Sequence, residues 1–153
     1  MHLQRVRRQL LSINQPDGYR LRVLDEVDST NAEAARIVAQ LTGPEWVLAR
    51  RQTNGRGRRG RAWSDPAGNF AASLVLFPQH PPDQIALRSF VAAVALFDAL
   101  VATTGRSDTL ALKWPNDVLL NGGKVAGILL ETTALSGGGF ALTIGFGVNL
   151  VHT

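Results

Sequence analysis

The chain has 153 residues, 45% hydrophobic and 18% charged, an ordinary globular composition that excludes disordered and collagen-like polymers. It contains no cysteine, which excludes disulfide scaffolds, thiolate metal sites and cysteine nucleophiles. No uninterrupted apolar run reaches about eighteen residues and the arginine-rich start does not resemble a secretory signal, so no membrane span is predicted. We expect one soluble, cytoplasmic domain over residues 1–153 with no membrane partner.

The net charge of +4 is unevenly distributed along the chain. Six arginines and no acidic residue lie between residues 50 and 61. Like charges this close repel one another unless water, salt or an anion intervenes, so the cluster predicts an anionic partner. Lys113 and Lys124 are the only lysines among 16 basic residues. They suggest sites that need a compact ammonium, although chance also explains two examples.

The N-terminal part predicts a strand, a turn and a helix. Residues 1–19 form a basic segment that is predicted to be a docking helix or a loose tail. Residues 19–27 alternate as a strand does. The capping box Thr30-Asn31-Ala32-Glu33 begins a helix that Gly43-Pro44 ends.

The middle of the chain predicts two strands and one long helix. Strands over residues 45–50 and 69–77 flank the arginine-rich loop. Apolar residues nearly encircle the helix predicted for residues 84–102, so we expect that helix to be largely buried.

Short strands separated by glycine turns dominate the C-terminal part. They are predicted over residues 110–114, 118–120, 125–131 and 140–150. Neighbouring strands joined this tightly must be antiparallel. The predicted fold class is α+β, a mixed, largely antiparallel sheet packed with helices.

The loop over residues 52–61 carries the pattern G-x-G-x-x-G. A dinucleotide-binding fingerprint requires a helix after the glycines, whereas the turn-rich residues 62–68 follow here, so that reading is rejected. Glycines that admit backbone N-H groups, with arginines around them, suit a phosphate or a carboxylate. A solvated basic loop and an RNA-binding glycine-arginine segment are the alternatives.

Four further segments carry polar residues at places where a ligand can reach them. They are residues 28–31, 113–117, 124–129 and 145–149. Each also has a purely structural explanation: a helix cap, a tight turn, a surface lysine beside a core strand, and bends at strand glycines. The three histidines are far apart in sequence, so no metal site is predicted.

In this order and spacing, the five segments resemble the catalytic domain of biotin protein ligases, over about residues 20 to 150. The resemblance implies a fold related to class II aminoacyl-tRNA synthetases and lipoate ligases. It also implies a reaction in which biotin and ATP give biotinoyl-AMP and pyrophosphate. Biotin is then transferred to a lysine of a biotin carboxyl carrier protein, and Mg²⁺ accompanies the ATP phosphates.

The resemblance also implies site residues. Those implied for binding biotin and ATP are Ser29, Thr30, Asn31, Gln52, Gly55, Arg56, Gly57, Arg58, Trp63, Asn116, Lys124, Gly127 and Gly145. Those implied for catalysis are Arg58, Lys124 and Asp117.

The resemblance assigns these residues distinct roles. Ser29, Thr30 and Gln52 would hydrogen-bond the ureido ring of biotin, in a slot lined by the backbone around Gly127 and Gly145. Arg56 and Arg58 would hold the carboxylate and phosphate, and Lys124 would bridge them. Trp63 would close over the ligand, Asn116 would orient the adenylate, and Asp117 would assist the incoming lysine.

Two departures from the family pattern set further expectations. The N-terminal segment is too short for a winged-helix domain, so no DNA partner is expected. The C-terminus stops before segments that complete the adenine pocket and before a small β-barrel domain, so impaired activity is expected. A homodimer is compatible with the sequence. The alternative functions are a lipoate or octanoate ligase, a noncatalytic biotin-binding remnant, and a nucleic-acid-binding module that uses the arginine loop.

Overall fold

A computed structural model of the chain describes residues 16–151. Seven strands form one sheet in the order β1-β2-β3-β7-β6-β5-β4. The strands are β1 (Arg20–Leu24), β2 (Glu45–Ala49), β3 (Phe70–Leu76), β4 (Leu110–Lys113), β5 (Asp117–Leu120), β6 (Gly123–Ala134) and β7 (Phe140–Val148). In this sheet β1 and β2 run parallel and the other neighbours run antiparallel. The predicted α+β class with a mixed, largely antiparallel sheet is confirmed.

The first helix, α1 (Thr30–Ile37), begins where its capping box predicts. The Ser29 side chain accepts the backbone N-H of Ala32, which satisfies one of the free donors at a helix start. Ala34 and Ile37 lie buried against the sheet, and a short 3-10 turn, Val38–Gln40, ends the helical segment. Ser29, Thr30 and Asn31 at the polar start of α1 line a pocket.

The segment before α1 runs beside the arginine-rich loop. The predicted strand over residues 19–27 ends at Leu24, but Val27 still forms an isolated parallel bridge with Gln52. The loop itself contains only a short 3-10 turn, Arg58–Gly60, in place of a helix. The rejection of a dinucleotide-binding fingerprint is therefore confirmed.

The second helix, α2 (Ile85–Thr104), is much more exposed than predicted. Ala92 and Ala93 are its buried residues, whereas Leu87 is 61% and Val91 64% exposed. The expectation of a largely buried helix is wrong because the sheet covers only one face of α2. Apolar residues all around a helix indicate that it is hydrophobic but do not show how many of its faces are covered.

The same helix also passes a simple test for membrane spans. By length and composition the segment Pro82–Thr104 could cross a membrane. The sequence prediction missed this because it considered only uninterrupted apolar runs, and Arg88 and Asp98 interrupt this one. One helix of this kind is weak evidence for a membrane segment, because helices of soluble proteins pass the same test.

Other boundaries differ from prediction by a few residues. The strand predicted over 125–131 extends over the whole of β6, and the strand predicted over 140–150 ends at Val148. The predicted docking helix or tail over residues 1–19 falls largely on residues 1–15, outside the described part of the chain.

Candidate functional site

A pocket of about 460 Å³ opens beside the centre of the sheet. It lies between the start of α1, the arginine-rich loop, the β4-β5 connection, β6 and β7. Of the predicted site residues, those that line it are Ser29, Thr30, Asn31, Gln52, Arg56, Gly57, Arg58, Trp63, Asn116, Asp117, Lys124, Gly127 and Gly145. The fold thus brings residues from all five sequence segments to one cavity.

Gly55 is the predicted site residue that does not line the pocket. It is buried behind the lining, where its carbonyl accepts the backbone N-H of Trp63 at 2.9 Å. A Cβ at this position would lie 2.8 Å from the Trp63 carbonyl oxygen and 3.1 Å from Gln52 Nε2. Gly55 therefore supports two lining residues by permitting close packing.

Neutral polar side chains form one end of the pocket. Gln52 Oε1 accepts the Thr30 backbone N-H at 2.8 Å. Ser29 and Thr30 are each 4% exposed, and Ser73 on β3 is fully buried behind them. Ser73 Oγ lies 2.8 Å from Thr30 Oγ1. Sequence reasoning missed Ser73. Its only sign in the sequence is a hydroxyl side chain within a predicted strand.

The Asn31 side chain is held by contacts within the protein. Its Nδ2 donates to Glu131 Oε2 at 2.8 Å and to the Leu129 carbonyl at 3.3 Å. Its Oδ1 accepts from Ser73 Oγ at 2.6 Å. Since these contacts use both amide hydrogens, Asn31 braces the pocket wall. Asn31 also explains why residue 145 is a glycine, because a Cβ on Gly145 would collide with Asn31 Oδ1.

Positive side chains form the other end. Lys124 Nζ lies 2.9 Å from Asp117 Oδ1, and Arg56 Nη2 lies 3.0 Å from Glu131 Oε2. Arg58 Nη1 donates to Asn116 Oδ1 at 3.3 Å. The Arg56 and Lys124 side chains are 42% and 44% exposed. Because exposed ion pairs contribute little stability, an anionic ligand can displace these partners easily.

The arginine cluster of residues 50–61 divides into two groups. Four of its arginines line the pocket: Arg56, Arg58, Arg59 and Arg61. Arg50 and Arg51 instead pair with Asp25 and Glu26, outside the lining. Lys113 is exposed and also lies outside the pocket. The observed site therefore uses one lysine and part of the arginine run.

Trp63 lies over a floor made by two glycines. Gly127 on β6 and Gly147 on β7 are register partners. A Cβ on Gly147 would lie 2.6 Å from Trp63 Cε2, and one on Gly127 would lie 3.2 Å from Cζ3. Lys124 Nζ lies 5.4 Å from the indole centroid, within cation-π range. Gly147 was not among the predicted site residues, although its segment was.

The Asp28 carboxylate stabilises the turn that carries Ser29. Its Oδ1 accepts from Arg36 Nη2 at 2.6 Å and from the Ser29 backbone N-H at 2.8 Å. The Arg36 side-chain hydrogen bond is the largest cause that lowers the Asp28 pKa from 3.8 to about 2. A helix cap explains residues 28–31 in the sequence without this ion pair, so the pair was not predicted.

We expect the Asp28 carboxyl to titrate near pH 2 when followed by NMR. Because the folded-state pKa is below the unfolded value, the contact stabilises the fold fully above about pH 4 and is lost as the pH falls through 2. Arg36→Gln should return the midpoint toward 3.8. An unchanged midpoint in that variant would contradict the assigned cause.

A sequence profile of the Biotin/lipoate A/B protein ligase family matches residues 23–149 of the chain. The Biotin--[acetyl-CoA-carboxylase] ligase of Paracoccus denitrificans is 59% identical over 128 residues, which cover 84% of this chain and 53% of the relative. The Bifunctional ligase/repressor BirA of Escherichia coli is 36% identical over 143 residues, covering 90% of this chain and 43% of the relative. The chain therefore spans about half the length of the curated relatives it matches.

Solved structures show the same likeness. The biotin protein ligase of Leishmania major in complex with biotinyl-5-AMP superposes with a TM-score of 0.77 at 27% identity, covering 90% of this chain and 59% of that chain. The biotin protein ligase of Aquifex aeolicus in complex with biotin and ATP superposes with a TM-score of 0.73 at 33% identity, covering 87% of this chain and 53% of that chain. These matches confirm the predicted fold and the predicted resemblance. The chain belongs to the biotin/lipoate A/B protein ligase family.

Proposed function

We propose that this chain provides the catalytic domain of a biotin protein ligase, which activates biotin with ATP and transfers it to a carrier lysine. One observation carries the proposal. Arg56 and Arg58 from the arginine-rich loop and Lys124 from the distant strand β6 line a single pocket whose other end is neutral and polar. Such a pocket suits a ligand with an uncharged hydrogen-bonding head and an anionic tail. The ligands bound by its structural neighbours support the same choice.

The neutral end matches the ureido ring of biotin. That ring presents N-H donors and one carbonyl acceptor. Thr30 and Gln52 carry side-chain oxygens that can accept, while the Ser29 hydroxyl can donate. A polar ligand head buried here binds well only when these groups are paired, since an unpaired buried polar group costs about 1 to 3 kcal/mol.

The cationic end suits formation of a mixed anhydride. A biotin carboxylate oxygen attacks the α-phosphorus of ATP, the bond to the β-phosphate oxygen breaks, and pyrophosphate leaves with that electron pair. Two anions must meet, so fixed positive groups lower the barrier. We assign Arg58 and Lys124 to the developing charge around the α-phosphate, and Arg56 to the carboxylate.

Transfer requires an uncharged amine at the acyl carbon. The carrier amine forms the amide bond there, the bond between the acyl carbon and the phosphate oxygen breaks, AMP leaves with that electron pair, and the amine proton passes to the Asp117 carboxylate. When Lys124 turns from Asp117 toward the ligand, the Asp117 carboxylate is released close to the reacting atoms. We assign Asp117 to receive and orient the incoming amine.

Among residues 16–151, no group of three or more His, Asp or Glu side chains is placed to hold a metal ion. Mg²⁺ would enter with the ATP phosphates. A biotin carboxyl carrier protein is the proposed acceptor in the cytoplasm. A homodimer, the absence of a DNA partner and a single-domain organisation stay predictions.

The test mixes the full chain with biotin, Mg-ATP and a biotin carrier domain, and follows pyrophosphate release and carrier mass separately. We expect biotin-dependent pyrophosphate release, and a carrier mass increase of one biotin residue when transfer is intact. Pyrophosphate without a mass change would restrict the chain to adenylation. The absence of both signals, together with no biotin binding by calorimetry, would overturn the proposal.

Competition separates the rival functions. Lipoate should not displace biotin from the pocket, whereas equal displacement would favour a lipoate or octanoate ligase. A nucleic-acid module would use the six arginines together, whereas four of them line the pocket and Arg50 and Arg51 pair with Asp25 and Glu26.

A further inference from the structure

The proton arrangement behind the neutral end of the pocket follows from one buried serine. Ser73 is fully buried on β3. Its Oγ lies 2.6 Å from Asn31 Oδ1 and 2.8 Å from Thr30 Oγ1. Three oxygens this close need hydrogens between them, and only the two hydroxyls carry one each. The partners of these hydroxyls therefore determine where the two protons lie.

The orientation of the Asn31 amide determines which residue donates the proton in its contact with Ser73. Its Nδ2 lies 2.8 Å from Glu131 Oε2 and 3.3 Å from the Leu129 carbonyl oxygen, and both atoms are acceptors. The amide is therefore oriented with Oδ1 toward Ser73. Because an amide oxygen has no hydrogen to donate, the proton in that contact belongs to Ser73.

The Ser73 proton in turn determines the direction of the Thr30 hydroxyl. Once Ser73 has donated its only proton, the contact between Ser73 and Thr30 requires Thr30 to donate. Thr30 Oγ1 then has no proton for Gln52 Oε1, which lies 3.2 Å away. Gln52 Oε1 is instead satisfied by the Thr30 backbone N-H at 2.8 Å. Both oxygens keep lone pairs for a ligand.

We propose that Ser73 is a positioning residue that makes Thr30 an acceptor and so selects a ligand head with N-H donors. The inference rests on the proposed function, in which that head is the ureido ring. Without Ser73, the Thr30 proton turns toward Gln52 Oε1 or toward the ligand. Either orientation removes one acceptor from the ureido N-H groups.

A double-mutant cycle on the full chain tests this, with biotin affinity measured by calorimetry. Ser73→Ala and Thr30→Val should each weaken biotin binding about tenfold, the effect of one hydrogen bond. If Ser73 acts through the Thr30 proton, the double variant should also be about tenfold weaker. Independent effects would multiply to about a hundredfold, and that result would overturn the proposal.

A matched control is available on the neighbouring strand. Thr143 is 3% exposed on β7 and does not line the pocket, so Thr143→Val should keep biotin affinity within about twofold. If Ser73→Ala does not fold, Ser73→Cys takes its place in the cycle, because a thiol is a weak donor of similar size. Ser73 variants that bind biotin as the wild type does would overturn the inference. A wild-type chain that does not bind biotin would overturn the proposed function itself.

Discussion

Removing the Lys124 ammonium should slow biotin-dependent pyrophosphate release by about a hundred- to thousandfold, as should removing the Arg58 guanidinium. One preorganised group aimed at developing charge contributes about 3 to 4 kcal/mol to transition-state stabilisation. Both groups line the pocket and are held ready by exchangeable partners, Lys124 by Asp117 at 2.9 Å and Arg58 by Asn116 at 3.3 Å. The measurement is single-turnover pyrophosphate release by Lys124→Ala and Arg58→Ala at saturating biotin and Mg-ATP.

The chain offers a matched control for each variant. Lys113 is the other lysine and Arg50 belongs to the same arginine run, yet neither lines the pocket. Lys113→Ala and Arg50→Ala should release pyrophosphate within about twofold of the wild-type rate. If the control variants lose as much activity as Lys124→Ala, a general loss of positive charge explains the effect and the site assignment fails.

Gly145→Ala should lower biotin affinity by about a hundredfold. A Cβ at this position would collide with Asn31 Oδ1, and Asn31 cannot turn away because Ser73, Leu129 and Glu131 hold its amide. Overpacking of this kind costs up to about 3 kcal/mol, which corresponds to about a hundredfold in affinity when the strain is in the binding wall. Biotin calorimetry measures the loss, and thermal unfolding measures how much of it reflects stability.

Two further variants identify the cause of the Gly145→Ala effect. Asn31→Ala removes the colliding oxygen, so Gly145→Ala should lower the melting temperature much less in the Asn31→Ala background than in the wild-type chain. Gly137→Ala adds the same methyl group in the β6-β7 turn, where nothing lies within 4 Å, and should leave affinity unchanged. An equal drop in melting temperature in both backgrounds would show that the collision is not the cause.

The sequence predicted the parts of the site that are encoded locally. The capping box at Thr30 correctly located the start of α1, and the missing helix after the glycine-rich loop was correctly anticipated. The convergence of Lys124 with Arg56 and Arg58 in one pocket followed from the resemblance and is observed. Spacing along the chain could not have established it, because the pocket depends on the pairing of β5 with β6.

The features of the site and fold that the sequence did not predict depend on tertiary contacts. Ser73 and Glu131 look like ordinary strand residues, and their roles arise only because the Asn31 side chain at the start of α1 contacts both of them. Gly147 is needed because the Trp63 indole lies on it, a contact between segments about eighty residues apart in sequence. The burial of α2 was overestimated for the same reason, since its composition does not show how many faces the sheet covers.

A crystal structure of the chain with a hydrolysis-resistant biotinyl-adenylate analogue tests most directly whether one pocket holds both reactants. We expect the bicyclic ring against Thr30 and Gln52, the phosphate within hydrogen-bond distance of Arg58 Nη1 and Lys124 Nζ, and the Lys124–Asp117 contact broken. A phosphate bound away from these two cations, with Lys124 still on Asp117, would contradict it.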